Sequence, residues 1–476
     1  MSASSDEAPA KKAKTMMLQK ENENIIDERR GETIIDLTEL EDDKEEEEEE
    51  EECQLVDEAQ ARMEGVEFSA MHGNLMENRS GRTSRSLRSK EQEVILQPPL
   101  LVSRSDKPAR EGYDRSMLGH EYMDDADTLR EKVHVLAELL RSSRACCLYT
   151  GAGISTGAGI ADYASRDNGT SVTHTLTEKA GKSSHRARLP GMSHRVLVAL
   201  QREDMVHEWI QQNHDGLPQK AGLPQHCINE IHGAWFDPSN PVVTMSGDLR
   251  EDLVTRFDMW KKKADLVLAL GTSLAAVAAD NIVGAAAKKQ QDLKGKGAVI
   301  ISLQRTYFDD VCALRIFGRL DEVLDLLAVH MELQVDTPQE CAAKTRDAAV
   351  VDPAYQVQED VFLVPYDLSS SEKKAADDSR RVEWDLREGA AAEIKYGPAA
   401  GFRGVMLGKD RQGHYEVEFP RIVGHKDEWL LRRDQRRHPD QDPRGRRIYT
   451  LGSWWVQAAV QGLVDRLPFV SVSSAV

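Results

Sequence analysis

From Asp127 onward the apolar residues Leu129, Val133, Leu136, Leu139 and Leu140 recur at helical spacing, which predicts an amphipathic helix ending near Ser142. The next run, Ala145 to Thr150, is short and apolar and closes on Gly151-Ala152-Gly153-Ile154-Ser155-Thr156, the pattern of a strand, a glycine turn and a helix. Later runs at Ala264 to Leu270, Ala298 to Leu303 and Leu314 to Phe317 are almost continuously apolar, as expected of strands covered on both faces of a parallel sheet. Asp321 to Val329 then returns to helical spacing. Alternating strands and helices define a doubly wound α/β class.

Residues 336–360 read as a linker of mixed polar composition, and beyond them the period shortens. Val361 to Val364, Ala392 to Lys395, Gly404 to Leu407 and His414 to Phe419 are alternating runs, with a turn at Lys409 to Gly413. They predict a small mainly-β domain over 361–476, built as a twisted sheet or barrel. Trp384, Trp429, Trp454 and Trp455 are expected in its core, the alternative being a peptide-binding face. Arg432 to Arg447 is locally basic and reads as a solvated loop.

Composition changes the picture at the other end. The chain has 476 residues, more than one core usually spans. Residues 1–118 combine low hydrophobicity with charge runs and are expected to form a disordered acidic tail, because they cannot bury enough apolar surface to offset chain entropy. Residues 1–65 hold 23 acidic and 8 basic side chains, which supplies -15 of the net charge of -19. The rest is nearly balanced, so direct binding of nucleic acid, which needs clustered Lys and Arg, is not expected.

The six cysteines form no CxxC pair, which fits a reducing compartment. The N-terminus lacks an apolar signal core, and the richest apolar stretch, Ala264 to Ala287, is broken by Asp265 and Asp280, so neither secretion nor a membrane span is expected. An intracellular protein follows, nuclear rather than cytoplasmic if Lys11, Lys12 and Lys14 act as an import patch instead of as solvated lysines. Ile34 to Thr38, followed by an acidic run through Glu52, resembles a SUMO-interaction motif, in which a short apolar strand adds to a sheet edge; the alternative is a chance apolar pentamer.

The chemistry is concentrated in ordered islands. A glycine turn between strand and helix lets backbone N–H groups approach a pyrophosphate at a helix N-terminus, although such a turn also occurs for purely local reasons. Four further islands follow: Gln212-Asn213-His214-Asp215-Gly216-Leu217, Glu230-Ile231-His232-Gly233, Gly271-Thr272-Ser273-Leu274 and Val299 to Gln304. All fall at the carboxyl ends of candidate strands, where open α/β sheets place their ligands. An imidazole with a pKa near ~6.5 can take a proton from a hydroxyl at neutral pH, which marks His232, although a histidine beside a turn glycine also serves structurally. Asn213 and Asp215 could likewise close a strand as an Asx-turn pair.

Taken with Gly159-Ile160-Ala161-Asp162 and Ala221-Gly222-Leu223-Pro224, these islands resemble the signature segments of the sirtuin family, in order, over about 210 residues. The resemblance implies a catalytic domain at 119–335 with a Rossmann-like parallel sheet. It implies NAD as cofactor, with Gly151, Ala152, Gly153 and Ser155 at the phosphates and Gln212 near the nicotinamide ribose. Asn213, Asp215, Ile160 and Asp162 would lie around the nicotinamide pocket, and Gly271, Thr272, Ser273 and Ser302 toward the phosphate and adenosine side. His232 would be the proton acceptor, with Asn213 and Asp215 beside it, in a reaction that moves the acyl group of a modified lysine to ADP-ribose and releases nicotinamide. Trp235 and Gly247-Asp248-Leu249, with the segment Ala275 to Ala278, would meet an acylated protein substrate, a histone or another nuclear protein. His214 alternates away from the site, and His174, His185, His194, His207 and His226 receive no role.

The chain departs from the family in three places. The zinc ribbon that usually follows the catalytic histidine is missing, since Ala234 to Met245 contains no cysteine; no metal is expected, the small domain is reduced, and packing of Trp235 and Phe236 must hold it. Ala164 stands where the family has an arginine, with Arg166 two positions on, and Ser302 replaces an asparagine. Two other readings stay open on the same residues: a protein mono-ADP-ribosyltransferase or NAD glycohydrolase, and a non-catalytic NAD-binding scaffold.

Overall fold

A computed structural model describes residues 96–106, 117–161, 185–244, 247–274, 279–374, 380–437 and 444–472, all within one compact unit, Glu51–Val476. Lys11 to Lys14, Ile34 to Thr38, Asp162, Ala164, Arg166, His174 and Ala275 to Ala278 lie outside the described residues.

The stretch expected to be disordered through residue 118 contains structure. Leu100–Ser103 (β1) pairs antiparallel with Glu121–Met123 (β2), and the Gln97 N–H donates to Thr128 Oγ1 at 3.0 Å. The apolar Leu100, Leu101 and Val102 end the charged composition of the tail and give the backbone a partner strand. The first long helix, α1 (Ala126–Ser142), starts on Asp125, whose carboxylate accepts from the N–H groups of Asp127 and Thr128. It buries Leu129, Val133, Leu136 and Leu140, the face set by the apolar spacing.

The central sheet is built from β3 (Cys146–Thr150), β4 (Glu208–Gln211), β5 (Ile228–Glu230), β6 (Leu266–Leu270), β7 (Gly297–Ile301) and β8 (Leu314–Ile316). Its order is β5-β4-β3-β6-β7-β8, parallel throughout. Cys146, Leu148, Leu266, Leu268 and Val299 point to one core, covered by α1, α2 (Met192–Arg202) and α6 (Leu320–Met331). Their chain neighbours Cys147, Tyr149, Val267, Ala269 and Ile300 point to the other, covered by α4 (Glu251–Lys263) and α5 (Asn281–Gln291). Two covered faces explain why the strands are apolar without alternation. The short helix α3 (Leu217–Lys220) follows β4. Among the described residues no helix is long and apolar enough to cross a membrane.

The expected linker is largely structured. Thr337 and Glu340 form a reciprocal capping box at the start of α7 (Pro338–Asp347), which buries Cys341, and Gln356–Gln358 (β9) pairs with Val361–Val364 (β10). Val382–Asp385 (β11) completes a three-stranded sheet. A five-stranded antiparallel sheet follows, ordered β15-β14-β13-β12-β16, from Ala391–Glu393 (β12), Arg403–Lys409 (β13), Tyr415–Pro420 (β14), Arg446–Leu451 (β15) and Val470–Val472 (β16). The basic segment expected as a loop forms α8 (Glu428–Arg437) and the edge strand β15. Its apolar signal is thin because α8 buries only Leu431 and β15 leaves Arg446, Arg447 and Ile448 exposed. Trp384, Trp454 and Trp455 are core residues, the last two on α9 (Trp454–Val460), whereas Trp429 is 46% exposed.

This module does not stand apart from the α/β layer. Phe236, contributed by the segment after β5, is buried in the module's core with its ring 5.0 Å from His414 and 5.1 Å from Trp454. The Gly452 N–H donates to the Phe236 carbonyl at 3.1 Å, Lys220 Nζ lies 5.0 Å from the ring centre, and Trp454 Nε1–H donates to Gln225 Oε1 at 2.9 Å. Phe236→Ala should therefore lower stability by about 3–5 kcal/mol in denaturant unfolding of the full chain; a loss below about 1 kcal/mol would mean that the ring does not tie the layers together.

Candidate functional site

The chain enters the sheet at its centre, on β3, runs outward through β4 to β5, then crosses to β6 and runs outward the other way. The strand order thus reverses between β3 and β6, the position where open α/β sheets form their ligand crevice beyond the carboxyl ends of the strands. Gly151 follows β3 and Gly271 follows β6, so both glycine islands meet there. The Gly153 N–H donates to Gly271 O at 2.8 Å, and a Cβ on Gly153 would lie 2.8 Å from Gly271 Cα. Gly271 has φ +59°, and a Cβ on it would lie 2.6 Å from the Ile154 nitrogen. No larger residue fits either position without moving backbone.

The turn Ala152–Ile154 is tied to the loop after β4. Asn213 Nδ2 donates to Gly151 O at 3.0 Å and to Ser155 Oγ at 3.1 Å, and Ser155 Oγ donates to Asp215 Oδ2 at 2.6 Å. Asp215 Oδ1 accepts from the Leu217 N–H at 3.0 Å, so the buried carboxylate is satisfied on both oxygens. Gln212 Nε2 donates to Thr272 Oγ1 at 3.2 Å across the crevice, and the Ile160 N–H donates to Ser155 O at 3.1 Å. Gly151, Gly153, Ser155, Ile160, Gln212, Asn213, Asp215, Gly271 and Thr272 are therefore one hydrogen-bonded assembly, with Ala152 and Ser273 half-buried within it. Ser302 sits on the far side, after β7: its hydroxyl donates to Gln304 O at 2.8 Å and accepts from Arg315 Nη2 at 3.1 Å. Arg315, in the middle of β8 and paired with the buried Asp309 at 2.8 Å, thus tethers this loop. Its signal in the sequence is a charge within an otherwise apolar strand.

His232 lies two residues past the end of β5, half-buried. Two bonds tie its loop to the Asn213–Asp215 loop: Trp235 N–H to His214 O at 2.9 Å, and His214 Nδ1 to Gly233 O at 2.8 Å. A carbonyl only accepts, so Nδ1 of His214 carries the hydrogen. Burial holds the His214 pKa below the usual imidazole range, and this histidine braces the loop. Gly233 has φ +98°, and a Cβ there would lie 2.4 Å from Pro241 O, because the returning segment crosses directly over it. That return is fastened to His232 itself by the Val243 N–H, which donates to His232 O at 3.3 Å.

The cysteine-free connection is closed mainly by polar groups. Arg250 bridges Asp237 at 3.1 Å and Asp252 at 2.8 Å and donates to Ser239 Oγ at 3.0 Å, while Asn240 Nδ2 donates to Glu230 O at 2.9 Å. Packing of Trp235 and Phe236 is only part of the answer: Phe236 is buried, Trp235 is half-buried, and the half-buried guanidinium of Arg250 cross-links the loop. Residue spacing gives no hint of this cluster, because its members converge through the fold. Among the described residues no group of His, Cys, Asp and Glu is arranged to hold a metal ion.

Gly247, Asp248 and Leu249 are half-buried and adopt no regular secondary structure; Leu249 packs on the α4–α5 core and Asp248 pairs with Lys426 at 2.6 Å. Two residues before His232, Glu230 is buried, with Oε2 accepting from Gln225 Nε2 at 3.5 Å. Burial, helped by the neighbouring Asp237 and Asp215 charges and opposed by bonds from Gln219 and Gln225, pushes its carboxyl up to about 8.

No family model matches the chain. A solved structure of Sir2Tm bound to a propionylated peptide aligns over 43% of this chain and 100% of that chain, at 23% identity and a TM-score of 0.36. Among curated proteins, NAD-dependent protein deacetylase sirtuin-7 of Bos taurus is 29% identical over 272 residues, 48% of this chain and 66% of the relative. NAD-dependent protein deacetylase SRT1 of Arabidopsis thaliana is 31% identical over 310 residues, 56% of this chain and 58% of the relative. NAD-dependent protein deacetylase Sirt6 of Drosophila melanogaster is 28% identical over 277 residues, 48% of this chain and 84% of the relative. The chain thus spans just under two thirds of the length of the sirtuin-7 relative it matches. With the signature islands assembled at the switch point of a parallel sheet and these relatives matching about half of its length, the chain is similar to NAD-dependent protein deacetylases of the sirtuin type.

Proposed function

We propose that this chain is an NAD-dependent protein lysine deacylase. The observation that carries the reading is the hydrogen-bonded linkage of the glycine turn, Asn213, Asp215 and the His232 loop at one crevice. The donor set fits a dinucleotide: a glycine turn at a strand end faces the switch point, and the carboxylate nearest to it, Asp215, is already saturated by a hydroxyl and an N–H. Gly151, Ala152, Gly153 and Ser155 would hold the phosphates; Gln212 the nicotinamide ribose; Ile160, Asp162, Asn213 and Asp215 the nicotinamide; and Gly271, Thr272, Ser273 and Ser302 the adenosine side. NAD, when bound, supplies the ribose carbon that accepts the acyl group as nicotinamide leaves. The His232 imidazole takes a proton from a ribose hydroxyl at a ring nitrogen. Trp235 and Gly247–Leu249 flank the acylated lysine.

The tail adds finer proposals. Lys11, Lys12 and Lys14 support a nuclear location and a histone or other nuclear protein as substrate, and Ile34 to Thr38 supports SUMO as a partner. Replacing Ile34, Ile35 and Leu37 by alanine should abolish capture of the full chain on immobilised SUMO; equal capture would discard that partner.

The activity is tested by following nicotinamide release and peptide mass together with NAD and a panel of acyl-lysine peptides. Acyl loss should match nicotinamide release, and His232→Ala should reduce both about 10²–10⁴-fold. A mass gain of ADP-ribose on protein, or nicotinamide release with no acyl loss, would replace the deacylase by one of the other NAD reactions.

Glu230 gives a pH prediction. Its folded pKa of about 8 lies above the unfolded value near ~4.3, so the folded state keeps a proton that the unfolded state loses. The associated stability is fully present below about pH 4 and is lost as pH rises through about 8, with a slope of at most ~1.4 kcal/mol per pH unit. Denaturant unfolding at several pH values should give a flatter profile for Glu230→Gln than for the wild type; parallel profiles would mean that Glu230 ionises normally in the fold.

A further inference from the structure

The turn that introduces the proposed substrate segment is held by the C-terminal module. Asp427, only 1% exposed, accepts at Oδ2 from the Thr244 N–H at 3.1 Å and at Oδ1 from the Thr244 hydroxyl. The Gly247 N–H donates to Thr244 O at 2.9 Å. Gly247 itself sits tightly on the carboxylate, since a Cβ on it would lie 2.9 Å from Asp427 Oδ2 and 2.7 Å from Val243 Cβ. The preceding residue, Lys426, pairs with Asp248 at 2.6 Å, and the Asp427 N–H is anchored on Gly424 O at 2.9 Å. Two consecutive module residues thus hold Thr244 and Asp248, which lie on either side of residues 245 and 246, themselves outside the described residues. The same segment reaches His232 through the bond from Val243 N–H to His232 O.

From this geometry we infer that Asp427 is a positioning residue for the acyl-lysine peptide, so that the C-terminal module is a working part of the substrate groove. The inference rests on the deacylase reading. Among the described residues the hydrogen bonds of Asp427 go to Thr244 and Gly424, and not to the glycine turn, Asn213 or Asp215, so its loss is expected to disturb the peptide side and leave the dinucleotide side intact. A buried carboxylate receiving two hydrogen bonds is a strong local constraint, and a flexible turn in its place must be ordered by the arriving peptide.

The test uses the full chain and compares wild type, Asp427→Ala and Lys426→Ala by steady-state kinetics with an acetyl-lysine peptide and by NAD binding in titration calorimetry. The Asp427→Ala variant should raise the peptide KM about ten- to hundredfold while kcat and the NAD Kd stay within about threefold of wild type. Lys426→Ala, which removes only the exposed pair, should raise the same KM a few-fold. If Asp427→Ala fails to fold, Asp427→Asn, which keeps the volume and loses the charge, is read against the same expectation. An active wild type with an unchanged peptide KM in the folded Asp427 variant overturns the inference alone, as does an equal loss of NAD affinity. A wild type inactive on every acyl peptide overturns the deacylase reading and the inference with it.

Discussion

Phe236 sits where the α/β layer and the C-terminal module share a core, and the path of the chain after His232 depends on it. Leaving β5, the backbone passes His232, turns at Gly233, inserts Phe236 between His414 and Trp454, and returns over Gly233 at Pro241 and Val242. A short connection of this kind has little apolar surface of its own and cannot hold one conformation unaided. Here the ring is fixed by a neighbouring core, and a half-buried guanidinium, Arg250, joins Asp237 to Asp252 behind it. A metal cluster would supply the same constraint through thiolates. This chain spreads it over one aromatic anchor, one ion cluster and one carboxylate, Asp427, on the far end of the return.

The assembly at the crevice follows from topology more than from any single side chain. Because β3 and β6 are neighbours and their successors run in opposite directions, their glycine turns must face each other. Their contact is close enough that only glycine fits at Gly153 and Gly271. Asn213 and Asp215 then lock the turn from the side of β4, and His214, pointing the other way, braces the His232 loop. One short segment, Gln212 to Asp215, therefore joins the two glycine turns to the His232 loop.

Much of this was legible in the sequence. The parallel strands announce themselves as unbroken apolar runs because both faces are covered, and α1 is visible from its spacing. The site islands were readable because backbone turns at strand ends need specific residues in a fixed order. What the sequence hid is what the fold brings together from afar. Arg250, Arg315, Lys426 and Asp427 look like ordinary charges until tertiary structure pairs them with Asp237, Asp309, Asp248 and Thr244. Helix α8 and strand β15 were hidden for a different reason: an edge strand and a surface helix bury too few apolar side chains to break a run of arginines. The capping box of α7, Thr337 to Glu340, was present in the sequence and outweighed by the polar composition around it.

We attribute the hold on the loop that follows His232 to the chain's own side chains, Phe236 in the module's core, the Arg250 cluster and Asp427, rather than to a bound metal. Metal content of the purified full chain, measured together with thermal unfolding before and after treatment with a strong zinc chelator, tests it most directly. The account predicts far less than one zinc per chain and the same Tm in both conditions. One zinc per chain, lost on chelation with a fall in Tm of several degrees, would contradict it.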